Sequence, residues 1–244
     1  MRLRQLSDLQ ADIQKRADIQ NSTAFIPLSD ITEYINQGWT RIYGVLCRTG
    51  ENYYLANSQI TTVSGQASYY TTSATGVPAG TAVLPTNMWD IKGVDVQIQT
   101  GRWANAERMQ WEQRNDYQPG DFAWPMKPYY DYQNSGVQAS VLLMPVPTGG
   151  IPVNVWYYPA AVRLSANTDT IDGGNGWEIY AIDWAARRCA EKDENYELCA
   201  RLDRSLEEML NDIRAEAASR NAGIAPKVRR VRYKQWGGPG PWRM

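Results

Sequence analysis

The chain is predicted to be α+β, with a helical bundle formed by N- and C-terminal helices, a large antiparallel β-rich insertion and an extended C-terminal arm. Three observations predict this. Apolar residues recur three or four positions apart over 3–46 and again over 177–213, the spacing of one helical face. Between 52 and 161, short runs rich in Tyr, Val, Thr and Ile are broken by Gly and Pro at intervals of roughly ten residues. Residues 225–244 carry six basic side chains and no acidic one, with Pro and Gly that oppose a continuous helix. The expected division is 1–50 for an N-terminal helical hairpin and 51–172 for the β-rich insertion. Residues 173–222 hold the C-terminal helices that complete the bundle, and 223–244 the basic arm.

Leu3, Leu6, Leu9, Ile13 and Ala17 place one apolar stripe on a helix over 3–18, which Asn21-Ser22 ends. Pro27 blocks earlier initiation of the next helix, capped by Ser29 or Asp30. Its stripe is Ile31, Tyr34, Ile35, Trp39, Ile42, Tyr43 and Leu46, ending at Gly50. Candidate strands follow at 53–62, 67–72, 91–99, 129–133, 137–144 and 152–158, the last two joined as a hairpin through the turn-rich 145–150. Residues 104–117 read as a short helix within a long excursion. Trp177, Tyr180, Ala181, Trp184, Ala185 and Cys189 form a third stripe. Tyr196, Cys199, Leu202, Leu206, Met209, Leu210 and Ile213 form a fourth, running to about Ala218.

Composition excludes several chemistries. There is no histidine, which removes Ser-His-Asp and Cys-His triads and every His-based metal site. Cys47, Cys189 and Cys199 form no C-x-x-C pair and are too few for a Cys-only zinc site, so a reducing compartment is expected. No P-loop motif occurs. Met1–Gln5 lead into an amphipathic helix, so no signal peptide is expected, and no run of about 18 apolar residues predicts a membrane span.

Weaker chemical candidates have simpler readings. Gly173–Gly176 precede a helix and offer backbone N–H groups to an anion, but a tight turn with Asn175 as the helix cap accounts for them. Asp169 and Asp172 have the chemistry of a metal or acid/base pair, yet aspartate is a common turn residue. Glu107, Glu112, Asp116 and Asp121 offer carboxylates of the kind a glycosidase pairs, without a pattern that singles them out. No catalytic, cofactor or metal residues are expected, and no enzyme activity.

The arm carries the strongest signal outside the apolar stripes. The net charge of −1 is unevenly spread: +1 over 1–50, −4 over 51–176, −4 over 177–224 and +6 over 225–244. The arm's candidate partner-binding residues are Lys227, Arg229, Arg230, Arg232, Tyr233, Lys234, Trp236, Trp242 and Arg243. Three readings compete: a solubilising extension, a nucleic-acid grip through phosphate neutralisation and stacking, and a protein-docking arm. The acidic body repels a polyanion, and Arg and Trp dominate interface energetics, which favours docking.

Arg16–Ser22 with Ile31–Gln37, Val83–Pro85 with Ile91–Val96, Val153–Pro159, and above all Asp169–Glu191 resemble head-to-tail adaptor (connector, head completion) proteins of tailed bacteriophages. The resemblance covers about residues 1–215 in pieces and contains no catalytic fingerprint. It implies a structural virion protein, assembled in the host cytoplasm, that forms a ring of about twelve copies. The ring would join the portal protein to a tail (nozzle or tube) protein and extend the channel for genomic DNA, which passes without sequence-specific binding. The implied partners are therefore portal, tail, sister copies and DNA, with no membrane and no cofactor. The C-terminal arm would reach along the portal.

Overall fold

The computed structural model describes residues 3–19, 26–49, 52–71, 83–110, 128–134, 139–173 and 176–221. Their elements run β1 (Leu3–Gln5), α1 (Leu6–Arg16), α2 (Leu28–Thr49), β2 (Ala56–Thr61), β3 (Ser68–Tyr70), β4 (Met88–Gln99) and β5 (Arg102–Asn105). Then come β6 (Glu107–Arg108), β7 (Tyr129–Asn134), β8 (Ala139–Met144), β9 (Pro152–Pro159), β10 (Thr170–Asp172), α3 (Glu178–Lys192) and α4 (Tyr196–Asn221). The described arrangement is α+β.

All four helices contribute to one apolar core. Leu6, Leu9 and Ile13 of α1 meet Ile31, Ile35, Trp39 and Ile42 of α2, with Ala181, Ala185 and Cys189 of α3 and Leu202 and Leu206 of α4. A glycine on α2 lets α3 come close: a Cβ at Gly38 would lie 2.9 Å from Trp184 Cβ and 3.0 Å from Ala181 Cα. Buried Asp183 is held by Arg16 of α1 and by the Ser205 hydroxyl of α4, which donates at 2.9 Å. This satisfies a charge that would otherwise be costly inside.

The second core lies between two four-stranded sheets, ordered β2-β9-β4-β5 and β3-β8-β7-β6. Val94 and Val96, Val141 and Leu143, and Val153 and Val155 alternate inward along their strands, the period-2 pattern of a sheet with one buried face. An aromatic seam joins the two cores: Tyr43 lies 4.8 Å from Tyr54 and 6.3 Å from Trp89 between ring centroids. The Tyr43 hydroxyl also donates to the Pro159 carbonyl at 2.8 Å.

Several expectations are corrected. The first helix begins at Leu6, because Leu3–Gln5 pair antiparallel with Thr170–Asp172, and it ends at Arg16, where Asp18 turns the chain at φ 57°. Asn21 and Ser22 lie outside the described residues. Helix α2 opens when the Pro27 carbonyl accepts from Asp30 and Ile31, placing Ser29 and Asp30 inside its first turn. The helix expected from 104 is replaced over 104–110 by edge strands. There Ala106 N–H bonds Val94, Glu107 bonds Pro128 and Met109 bonds Tyr130, so neighbouring strands take the groups a helix would use internally. The rest of that stretch, with Glu112, Asp116 and Asp121, lies outside the described residues.

Strands β8 and β9 are not a hairpin but belong to different sheets. Their proline-rich connection is stitched to the β2–β3 turn: Thr62 Oγ1 donates to Thr148 at 2.7 Å and accepts from Ile151 N–H at 2.9 Å. The insertion is also not purely antiparallel, since β6 and β7 pair in parallel. Helix α3 begins at Glu178 after Trp177, without a side-chain cap, and Asn175, the expected cap, lies outside the described residues.

Candidate interaction surface on the helical face

The arm residues Lys227, Arg229, Arg230, Arg232, Tyr233, Lys234, Trp236, Trp242 and Arg243 lie outside the described residues. Among the described residues, a groove lies between α2, α3 and α4, a cavity of about 550 Å³. At its centre is Trp184, half-buried on α3 and stacked with Tyr180 at 6.4 Å. Two guanidinium groups lie over the Trp184 ring, Arg41 at 4.7 Å and Arg188 at 5.2 Å from its centroid. Both distances are within reach of the attraction between a cation and the negative face of an indole.

The α3–α4 side of the groove is laced by ion pairs. Arg187 donates to Glu191 at 2.5 Å and to Asp203 at 3.0 Å, and Arg188 reaches Glu191 at 3.0 Å. Two donors in this region, Trp184 Nε1 and Arg188 Nε, are buried without an acceptor. Leu206 and Leu210 add an apolar floor. This chemistry suits recognition of a protein surface: a flat aromatic, paired cations and an apolar floor.

Reactive side chains are muted. Burial pushes the thiols of Cys47 and Cys189 up to about 11 and raises that of Cys199, which disfavours the nucleophilic thiolate. Burial raises Tyr43 and Tyr54 as well, Tyr54 further by the neighbouring Asp172. Asp169 is a turn residue: its Oδ2 accepts from the backbone of Ser165 at 2.7 Å and Ala166 at 2.8 Å, and these bonds lower its pKa. Asp172 accepts from the Tyr54 hydroxyl at 3.2 Å. No group of three metal-ligating side chains occurs among the described residues, and no helix among them is long and apolar enough to cross a membrane.

Against this geometry, the pattern of the SU10 adaptor protein family matches residues 4–231. The chain belongs to the SU10 adaptor protein family. A search of curated proteins finds no match. Membership makes this adaptor a structural component of a bacteriophage virion, one that meets head and tail parts and is not an enzyme. The matched region extends past α4 into the arm, taking in Lys227, Arg229 and Arg230 and stopping before Arg232, Trp236 and Trp242. Sequence reasoning missed the groove because Trp184 counted only as a member of a buried stripe. The usable signal was Arg188 four residues beyond it, a spacing that puts guanidinium and indole on one face.

Proposed function

We propose that the chain forms a ring of about twelve copies that joins the portal to the tail and extends the channel through which genomic DNA passes. In this reading the helices of 1–50 and 173–222 act as one bundle that carries the ring. The β-rich insertion of 51–172 faces the tail protein or capsid, and the arm of 223–244 docks on the portal. The observation that carries it is the family match over nearly the whole chain, running into the basic arm. The charge distribution supports it: a +6 arm on a body of negative net charge suits an acidic groove on a protein partner better than a polyanion.

Deleting residues 225–244 tests the docking. The truncated chain is expected to keep its helical circular dichroism and to lose binding to purified portal rings. Trp236→Ala alone is expected to weaken that binding, with Trp236 and Trp242 as anchors and the arginines setting orientation. Unchanged portal binding by the truncated chain overturns the role given to the arm. Steeply salt-dependent binding of the intact chain to arbitrary duplex DNA, abolished by the deletion, would favour the nucleic-acid reading instead.

A further inference from the structure

The groove over Trp184 demands a particular occupant. The guanidinium groups of Arg41 and Arg188 over the indole only donate, so a segment seated there must bring oxygen acceptors. Arg41 is exposed, forms no ion pair among the described residues and shares one indole with a second guanidinium. A carboxylate placed between them relieves that like-charge contact. The chain's own arm, with no acidic side chain, does not meet this demand. Of the carboxylates along the groove, Glu191 and Asp203 are already paired with Arg187 and Arg188, which leaves Arg41 open to an acidic partner.

The matching surface is the corner between α3 and α4. There Tyr196 is 70% exposed, the most exposed large apolar side chain among the described residues. Asp193, Glu194 and Glu197 beside it are exposed and form no ion pair among those residues. The corner is rigid, with Asn195 N–H bonded back to Ala190 at 2.9 Å and Asn195 Oδ1 accepting from Leu198 N–H at 3.1 Å. Glu194 holds φ 57°, a conformation that terminates helices at little cost only with glycine. This turn sets an acidic side chain at the apex of the corner.

We propose that the α3–α4 corner of one copy seats in the groove of the next, with Tyr196 on the Leu206–Leu210 floor and Glu194 between Arg41 and Arg188. Corner and groove are different surfaces of the same helix pair, so the contact is head-to-tail and passes from copy to copy, as a ring requires. It rests on the ring reading above and names the surfaces that build the ring.

Two measurements on the full chain test it. In the first, an Arg41→Cys chain is mixed with a Glu194→Cys chain and oxidised at about pH 8, where the buried native thiols stay protonated. Linked dimers are expected from the mixture and not from either chain alone, nor from Arg41→Cys mixed with Gln59→Cys, a position exposed on β2. In the second, self-association is followed by sedimentation for Arg41→Glu, Glu194→Arg and the double variant. Each single reversal is expected to weaken association roughly tenfold or more, and the double to recover it. Assemblies that form equally in all variants, without the 41–194 link, overturn the contact while leaving the ring standing. A wild-type chain that neither assembles nor links at any concentration overturns both.

Discussion

Asn36 is buried on α2 and closes two hydrogen bonds with the backbone of Leu164, donating at 2.9 Å and accepting at 2.8 Å. It ties the segment after β9 to the helical core. Asn36→Ala leaves a buried N–H and a buried C=O unpartnered, so a loss of about 2–3 kcal/mol is expected. A lower urea midpoint at unchanged slope is the signature. Two residues along, Gly38 sits against Trp184 Cβ and Ala181 Cα at 2.9 and 3.0 Å, where no real Cβ fits. Gly38→Ala forces α2 away from α3, and a loss of about 1–3 kcal/mol with a shifted Trp184 environment is expected. Glu194 behaves in the opposite sense. Its φ of 57° favours glycine, so Glu194→Gly is expected to raise the thermal midpoint, a gain of about 1 kcal/mol, while weakening association between copies. A residue kept only for stability would not separate the two readouts.

At the scale of elements, one side chain reinforces the backbone bonds that join Thr62 to Gly150 and Ile151 at the corner between the sheets. Thr62 is buried, and its hydroxyl both donates to Thr148 and accepts from Ile151. Thr62→Val keeps the shape and strands both backbone groups, so a loss of about 2 kcal/mol is expected in equilibrium unfolding. This corner also shows what was legible in the sequence and what was not. The helical stripes were readable because a 3.6-residue period is local: Ile31, Ile35, Trp39 and Ile42 are all buried on one face of α2. The strands were readable as strands for the same reason. Their partners were not, because pairing is settled by contacts far apart in sequence. Pro145 and Pro147 look like a hairpin turn, yet they carry the chain from one sheet to the other. Met109 and Ala106 have the three-residue spacing of a helix, yet their N–H groups donate to the carbonyls of Tyr130 and Val94 on neighbouring strands, which hold them extended. The arm was read from composition alone, and its residues lie outside those described. The groove was not, since it needs Arg41 of α2 brought over Trp184 of α3.

Across the whole molecule, burial of weakly acidic groups sets an alkaline limit on the fold. Cys47 and Cys189 are pushed up to about 11 from an ordinary value of 9.0, and desolvation likewise raises Tyr43, Tyr54 and Tyr180 in and around the helical core. In the sheet core it raises Tyr69 and Tyr130. In the unfolded chain these protons leave at lower pH than in the fold, so the unfolded state binds fewer of them as pH rises. Stability contributed by these groups is therefore fully present below about pH 9 and declines as pH climbs through 11. Because both cores carry such groups and Tyr43 and Tyr54 bridge them with Trp89, the two halves are expected to lose stability together. Urea unfolding followed by helical dichroism and by tryptophan emission should give coincident midpoints at about pH 8, and these should fall in step toward about pH 10.5. Thiol labelling should stay negligible in the native chain across the lower range and rise only as the midpoint falls. Midpoints that separate, or a flat profile through this window, would show that the halves unfold independently or that the thiols and phenols are not desolvated in the fold.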